Sequence, residues 1–363
     1  GIALVATAAA QTPRTLPAAY TGSTPVSYVR TWDAVKPLTN PNDLNASVSL
    51  NTAQMTTEYL DGLGNPLQMV VKRGSMITGS SPVDFIGMKE YDVFGRERFI
   101  YLPTPANSTG SNTSISDGLF KLNPFQQQEA FYNGYLNGQS GEVSSSKNWA
   151  YNQINFDASP LNRPQEVFAP GVNWVGTQSQ SLEADRHSVK VKYFNNKLTD
   201  SVRIWQVLDP VFGGWGTYTS PGSPWYPAGE LSKTITVDEQ GKQVIEFKDR
   251  FGMMVLKKVQ LTATADDGSG KGHYGWLCTY YIYDKLNRLR CVIQPRGVEL
   301  LIDNSWNITA LSNAIPNEQC FRYEYDLRDR LVMKKMPGIG PVYMVYDARD
   351  RLVLTQDSVL RAG

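Results

Sequence analysis

The sequence predicts an all-β fold of repeated antiparallel hairpins that form a spiralling sheet or part of a hollow shell. One observation is a short turn unit recognised at six places, in which an Asp is followed three positions later by Gly, Asn or Asp. Another is the composition, with 19 Tyr, 30 Gly and 21 Pro, which favours short strands and turns over long helices. The third is spacing, because Asp326 and Asp347 lie 21 positions apart, a period typical of stacked supersecondary units.

Turn chemistry explains the unit. An Asp at the first position of a turn can bond its own backbone two residues on. The residue three places later must accept a left-handed backbone, as in a type I turn closed by a one-residue bulge, and Gly, Asn and Asp do so at least cost. The six pairs are Asp61 and Gly64, Asp92 and Gly95, Asp249 and Gly252, Asp284 and Asn287, Asp326 and Asp329, and Asp347 and Asp350.

Four copies also carry a Tyr before the Asp and an Arg after the third-place residue. These flanking residues are Tyr91 and Arg96, Tyr283 and Arg288, Tyr325 and Arg330, and Tyr346 and Arg351. A looser seventh copy, Phe156-Asp157 with Asn162-Arg163, has a turn two residues longer. A ladder of Asp and Arg could bind a ligand, but the turn alone explains the offset. We therefore interpret these residues as structural, with the Arg packed along the neighbouring strand.

The first 45 residues predict two segments. Residues 1–10 are uncharged and apolar and end in three Ala before Gln11, which predicts the remnant of a signal peptide. A buried strand is the alternative, and about ten apolar residues are too few to span a bilayer. Residues 11–45, rich in Thr, Pro and Ser, predict an extended arm that reaches a first strand near 26–31.

The remaining chain is divided into three predicted regions. Residues 46–175 predict an N-terminal β domain with hairpins at 57–72 and 88–102, and with one helix near 124–134 that Asn123 would cap and Pro124 would begin. Residues 176–245 predict a β region with a Trp-rich insert. Residues 246–363 predict an array of the repeated unit that continues further, with a degenerate or inserted unit around 302–317.

Composition and motifs argue against several functions. Lys and Arg total 35 and Asp and Glu 34, so the net charge of +1 gives no case for nucleic acid. His187 and His273 lack metal-ligand neighbours, and we interpret them as surface-loop residues. No G-x-S-x-G motif is present. We expect no enzyme activity, no cofactor and no metal.

Two questions stay open from the sequence. Cys278 and Cys291 flank the turn at 284–287 and could form a disulfide, although bond geometry is strict. Trp205, Trp215 and Trp225 form a possible ligand-binding face, since aromatic side chains stack on sugars. The alternative is that these tryptophans fill the core.

The repeated unit resembles the YD repeat of the RHS/YD-repeat family of Gram-negative bacteria, whose consensus is close to YDxxGRL. The segments 91–96, 283–288, 325–330 and 346–351 carry this resemblance. Residues 28–128, with YVRTW, EYLDGLGNPLQMVVK and EYDVFGRERFIYLP, resemble the domain of unknown function that often precedes the repeats.

The resemblance implies that strips of hairpins curl into a shell that encloses a C-terminal polypeptide, often a toxin. We therefore expect an exported, non-enzymatic structural segment at the bacterial surface or outside the cell. Its partners would be its own C-terminal continuation and outer-membrane or secretion machinery, and it would not span a membrane. The alternatives are an adhesin or glycan-binding module, and an accessory subunit of a secretion assembly that docks through residues 11–45.

Overall fold

The computed structural model describes residues 15–76, 81–135, 150–171, 186–210, 214–261 and 270–362. The predicted signal-peptide remnant at 1–10 lies outside the described residues. The chain divides into two compact units, Gly1–Val189 and Lys190–Gly363. Each unit is described by itself.

The first unit is an antiparallel meander. Its strands are β1 (Ser27–Ala34), β2 (Ala53–Leu60), β3 (Pro66–Met76), β4 (Pro82–Glu90), β5 (Phe99–Tyr101), β6 (Thr104–Pro105), β7 (Tyr151–Phe156) and β8 (Pro164–Phe168). Strands β1 to β4 pair in chain order. Strand β4 then pairs with both β5 and β6, and β5 continues the sheet to β7 and β8.

Alternation of side chains gives this unit its core. Every second residue of β2, beginning at Ala53, is buried, as a strand with one face against a core requires. Ile86, Met88 and Tyr101 pack with Phe125 in a second buried cluster.

Phe125 belongs to helix α1 (Pro124–Ala130), which continues as a π-helical turn at Phe131–Tyr135. The helix predicted near 124–134 is therefore confirmed. The predicted cap differs, since the Asn123 side chain does not cap the helix. Its Nδ2 donates to the Thr109 carbonyl instead, at 3.0 Å.

The second unit is a longer antiparallel meander. Its strands are β9 (Ser188–Asn195, which begins in the first unit), β10 (Gln206–Leu208), β11 (Thr217–Thr219), β12 (Ser232–Val237), β13 (Gln243–Lys248), β14 (Met254–Gln260), β15 (Trp276–Tyr283), β16 (Leu289–Ile293), β17 (Cys320–Tyr325), β18 (Leu331–Lys335), β19 (Val342–Tyr346) and β20 (Leu352–Gln356). Strand β9 pairs with β12, and pairing then follows chain order to β20. Strands β10 and β11 form a separate hairpin. In the described residues β9 and β20 do not pair with each other, so this sheet is not closed.

The core of the second unit lies on one face of this sheet. Strand β15 alternates strictly, with every second residue from Trp276 buried. Ile245, Phe247 and Leu256 from the neighbouring strands join the same cluster. The antiparallel, hairpin-based fold expected from the sequence is thus confirmed.

Three helices of this unit were not expected: α2 (Pro295–Asp303), α3 (Ala310–Glu318) and α4 (Ser358–Ala362). The degenerate or inserted unit predicted around 302–317 is mostly helical and does not form a further hairpin. Pro295 begins α2, and the helix buries Val298 and Leu301, which are one turn apart. The first turn of α3 is left-handed, with φ between 55° and 65° at Leu311, Ser312 and Asn313. No helix in the described part of the chain is both long and apolar enough to cross a membrane.

The core position Phe247 provides a test of this packing. We expect Phe247→Ala to lower the free energy of unfolding of the second unit by about 3–5 kcal/mol, because it leaves a cavity in a closed cluster. Phe251→Ala is the matched control, because that ring is 61% exposed. Urea titration followed by circular dichroism measures both. Equal losses in the two variants would contradict the assigned core.

Candidate functional site

The six predicted turns share one hydrogen-bond pattern. In each, the Asp N–H donates to the carbonyl four residues on, and the Asp carbonyl accepts from the N–H three residues on, at 2.9–3.1 Å. The Asp Oδ1 accepts from the N–H groups two and four residues on, at 2.8–3.0 Å. The third-place residue is left-handed in all six, with φ between 61° and 85°. One carboxylate therefore organises each turn.

Two further turns follow this geometry. At the longer turn after β7, Asp157 Oδ1 accepts from the Arg163 N–H at 3.1 Å, and Asn162 has φ of 49°. At the β12–β13 turn, Asp238 Oδ1 accepts from the Gln240 and Lys242 N–H groups, and Gly241 has φ of 82°. A turn at 238–241 is also predicted from its Asp-Glu-Gln-Gly sequence. It was not grouped with the six, although the Asp61 and Asp249 turns lack the Tyr and the Arg as well.

The arginines connect one turn to the next. In the four copies with an Arg, Nε donates to Oδ2 of the turn's own Asp at 2.7–2.8 Å. Three of these arginines also reach the left-handed residue of the following turn through Nη1. These pairs are Arg96 with Asn162 at 3.1 Å, Arg288 with Asp329 at 2.8 Å and Arg330 with Asp350 at 2.8 Å. We call Arg96, Arg288 and Arg330 the arginine ladder.

An aromatic ring of the following hairpin also lies close to each arginine of the ladder. The guanidinium carbon of Arg288 lies 5.3 Å from the ring centre of Tyr325, and that of Arg330 lies 5.1 Å from Tyr346. Arg96 lies 4.8 Å from Phe156 in the same way. The Tyr346 hydroxyl donates to the Leu331 carbonyl of the preceding hairpin at 2.9 Å. The Tyr, Asp and Arg of the repeat therefore act as a connector between hairpins.

A buried polar network lies under the ladder in the second unit. The Arg290 guanidinium binds the Glu324 carboxylate, and both side chains are almost fully buried. Arg290 Nη1 also lies 3.3 Å from Asp284 Oδ2, which joins the network to a repeat turn. Glu324 Oε1 accepts the Gly216 N–H at 2.7 Å and so fixes the loop before β11. This network was not predicted, because its members are far apart in the sequence.

The structure separates the three tryptophans of the predicted ligand face. Trp205 and Trp225 both lie against Arg203, together with Trp306. Trp215 lies elsewhere, against Arg322, whose guanidinium carbon is 4.7 Å from its ring centre. Trp306 follows α2, 101 positions after Trp205, so no local sequence pattern groups them.

The structure also corrects the prediction for His273 and shows no disulfide between Cys278 and Cys291. His273 is not a surface-loop residue: it stacks on Tyr280 with ring centres 5.8 Å apart, and burial, aided by Lys258, lowers its pKa to about 3. Cys278 faces Lys258 across the sheet rather than Cys291. Both thiols, and that of Cys320, are free and buried, and burial raises the pKa of Cys278 to about 12. In the described ranges no cluster of three or more His, Cys, Asp or Glu could hold a metal.

A protein-family model matches most of the first unit. Residues 30–188 match the family model described as domain of unknown function DUF6443. This match lies where the sequence resembled a domain of unknown function and extends beyond it. None of the curated proteins matches the chain.

Solved structures share the fold over most of the chain. The crystal structure titled TcdB2-TccC3-TEV aligns at 16% identity with a TM-score of 0.51, covering 92% of this chain and 12% of that one. TcdB2-TccC3 without its hypervariable C-terminal region aligns at 15% identity, with a TM-score of 0.47, over 84% of this chain and 11% of that one. A Photorhabdus luminescens Tc holotoxin pore aligns at 15% identity with a TM-score of 0.46, over 92% of this chain and 12% of that one. This chain thus spans about an eighth of their length or less, and the likeness is one of fold.

The buried network gives one prediction. We expect Glu324→Gln to lower the free energy of unfolding by about 3 kcal/mol, since it leaves Arg290 without its most buried countercharge. This loss of unfolding free energy should lie at the lower end of the range for broken buried ion pairs, because Asp209 and Asp284 remain beside Arg290. Glu299→Gln, at a side chain that is 46% exposed and pairs with Arg296, is the control. It should change the unfolding energy by at most about 0.5 kcal/mol, and a similar effect of both variants would refute the role given to the network.

The turn carboxylates predict a pH dependence. Burial alone would raise the pKa of Asp284, but hydrogen bonds from the Arg288 backbone and side chain outweigh it, and the pKa is lowered from 3.8. Because the folded pKa lies below the unfolded one, the stabilisation is complete above pH 3.8 and is lost as pH falls through the folded pKa. Between pH 6 and about pH 2.5, the urea midpoint of Asp284→Asn should fall less than that of the unsubstituted chain. Identical falls would contradict this assignment.

Proposed function

We propose that this chain is a structural, non-enzymatic wall segment of an exported bacterial RHS/YD-repeat protein, which encloses or presents a C-terminal polypeptide. The observation that carries the proposal is the arginine ladder. Each ladder Arg binds its own turn and the next, so hairpins join by a contact that can be repeated along a wall. A toxin is the cargo that the family resemblance favours.

The comparisons support this proposal at the level of fold. The TcdB2-TccC3-TEV chain shares the fold over 92% of this chain, although this chain spans only 12% of its length. A fold that aligns with a short stretch of a much longer chain fits a wall segment better than a self-contained enzyme. The match of residues 30–188 to DUF6443 fits the domain that precedes the repeats in the resembled family.

The chemistry of the repeat-turn carboxylates also fits a structural role. The carboxylates of the repeat turns accept hydrogen bonds from their own backbone, and four of them also bind an Arg. Such carboxylates are fully engaged and are poor general bases. This supports a wall rather than a catalytic surface.

The exposed edge strand β20 supports continuation of the wall. In the described residues β20 pairs with β19 alone, and Leu352, Val353 and Leu354 are 50–60% exposed. Arg351 binds Asp347 as the ladder arginines bind theirs, but its side chain is 69% exposed. An exposed apolar edge strand invites pairing with another strand. We propose that a further hairpin of the same type covers it.

A role as a docking subunit is less well supported. The described part of the predicted arm lies on its own unit: Tyr20 packs against Phe120 with ring centres 5.1 Å apart, and its N–H donates to the Leu122 carbonyl at 2.6 Å. Gln126 Nε2 donates to the Pro17 carbonyl at 2.8 Å. The arm is thus already occupied by contacts within the first unit.

The test is cryo-electron microscopy and limited proteolysis of the native full-length protein purified from its bacterium. We expect a hollow β-walled particle with this segment in the wall, density inside, and an interior polypeptide that resists protease. An open or solid sheet without interior density would refute the enclosure, as would cleavage of the polypeptide at the rate seen after denaturation.

A pair of variants tests whether this wall segment provides the protection. Phe247→Ala weakens the wall and should raise the rate at which protease reaches the interior polypeptide. Phe251→Ala, at an exposed ring, should leave that rate unchanged. Equal rates in both variants would show that protection does not depend on this segment.

A further inference from the structure

A cavity of about 300 Å³ lies in the second unit, between the β10–β11 hairpin with the loop that follows it and the segment that joins α2 to α3. Its volume is at the lower end for sites that hold small ligands. The walls are both aromatic and polar. The lining includes Arg203, Trp205, Trp306, Ser220, Asn307 and Thr309.

The cation in this wall is unusual because it lacks a countercharge. In the part of the chain that the structure describes, no carboxylate lies within ion-pair distance of Arg203, and burial lowers its pKa. Arg nevertheless stays protonated, so a charge is held in a partly desolvated place. By contrast, the buried guanidinium of Arg290 binds carboxylates.

Three indole rings hold the guanidinium in place. Its central carbon lies 5.6 Å from the ring centre of Trp205, 5.3 Å from Trp225 and 5.0 Å from Trp306. Such cation–π contacts stabilise the charge by about 0.5–2 kcal/mol each. The indole group is a hydrogen-bond donor only, so these rings supply no conventional acceptor for the guanidinium N–H groups.

Those N–H groups are mostly unused. Nε donates to Ser220 Oγ at 2.9 Å. A guanidinium has five N–H donors, and in the described residues the four on the Nη atoms have no protein acceptor. The planar pair of amino groups matches the two oxygens of a carboxylate. The Trp205 indole N–H is also buried without an acceptor in the described residues.

Hydrogen bonds and backbone conformation position the cavity residues Arg203 and Trp306. The Arg203 N–H donates to the Tyr280 hydroxyl at 3.0 Å. Because that oxygen accepts there, its proton is free to be donated to Nε2 of His273, 2.8 Å away. Trp306 is left-handed, with φ of 62°, which is uncommon for a bulky residue. Arg203 and Trp306 are therefore held in place before any ligand arrives.

We infer that this cavity binds an acidic sugar, with the carboxylate on Arg203 and the apolar face of the ring against the indoles. Thr219, Asn307 and Thr309 also line the cavity, and their hydroxyl and amide groups can meet the ring hydroxyls. The lining holds no carboxylate, His or Cys, so the site binds without reacting. This inference does not depend on the wall role proposed above, because it concerns one cavity within the second unit.

The test is isothermal titration calorimetry of the full chain with sodium D-glucuronate. We expect saturable binding at one site per chain. D-glucose, which has the same ring without the carboxylate, should bind at least tenfold more weakly. Sodium phosphate, which has charge but no ring, should also bind at least tenfold more weakly. Equal binding of glucose would overturn the role of Arg203, and equal binding of phosphate would overturn the sugar.

Variants locate the site. Arg203→Lys keeps the charge but loses the planar pair of donors, and should weaken glucuronate binding at least tenfold. Arg203→Gln should abolish detectable binding. Arg296→Gln, at a side chain that is 63% exposed on α2, is the control and should bind as the unsubstituted chain does. Unchanged affinity in Arg203→Lys, or an equal loss in the control, would overturn the assignment.

A further variant guards against misfolding at Arg203. Thr309→Val removes one hydroxyl from the exposed rim, with the hydrogen bond that it donates to Asn307 Oδ1 at 2.8 Å, and keeps the Thr309 N–H bond to the same oxygen at 3.0 Å. Because the lost bond is exposed, the urea midpoint should change little, while the affinity for glucuronate should fall severalfold. If the Arg203 variants do not fold and Thr309→Val binds with full affinity, the inference is refuted.

Discussion

A left-handed residue three positions after an Asp is the constraint on which the hairpins depend. The Asp carboxylate collects two backbone N–H groups, and the left-handed residue allows the chain to return in register with a bulge. The same Asp then holds an Arg, and the Arg reaches the next turn. Local turn chemistry thus sets the position of a side chain that acts between hairpins.

The second unit shows two ways of keeping a cation away from water. Lys258 is fully buried, and its ammonium group donates to the carbonyls of Asp200, Gly270 and Gly272. Arg290 is equally buried and is matched by carboxylates. Arg203 follows neither pattern, since aromatic faces replace the countercharge. This contrast is what distinguishes the Arg203 cavity from a structural ion pair.

What the sequence predicted well was local. The six turns, the antiparallel hairpins and α1 rest on residues within a few positions of one another, so their patterns are visible directly. Helices α2 and α3 were missed because their apolar positions are few and the 42-residue spacing of the neighbouring turns favoured another hairpin. The grouping of Trp205 with Trp306, and of Arg290 with Glu324, depends on which strands become neighbours. That information is not contained in either segment alone.

The same limit applies to His273. Its short polar and Gly-rich surroundings are typical of a surface loop, yet the loop folds back onto Tyr280 and Trp306. The burial of His273 depends on Trp306, which lies 33 positions later in the chain. Sequence patterns report the preferences of a segment, and they do not report what the rest of the chain places over it.

The sharing of one guanidinium between two turns has a consequence for how order spreads along the sheet. A turn whose Arg forms hydrogen bonds only within that turn can open without breaking a bond of another turn. Arg288 and Arg330 instead each hold the left-handed residue of the following turn, so opening one hairpin removes a bond from its neighbour. Because the shared bond is lost whichever of the two turns opens, fluctuations of neighbouring hairpins are mutually coupled, and the array behaves as a linear cooperative system of nearest neighbours.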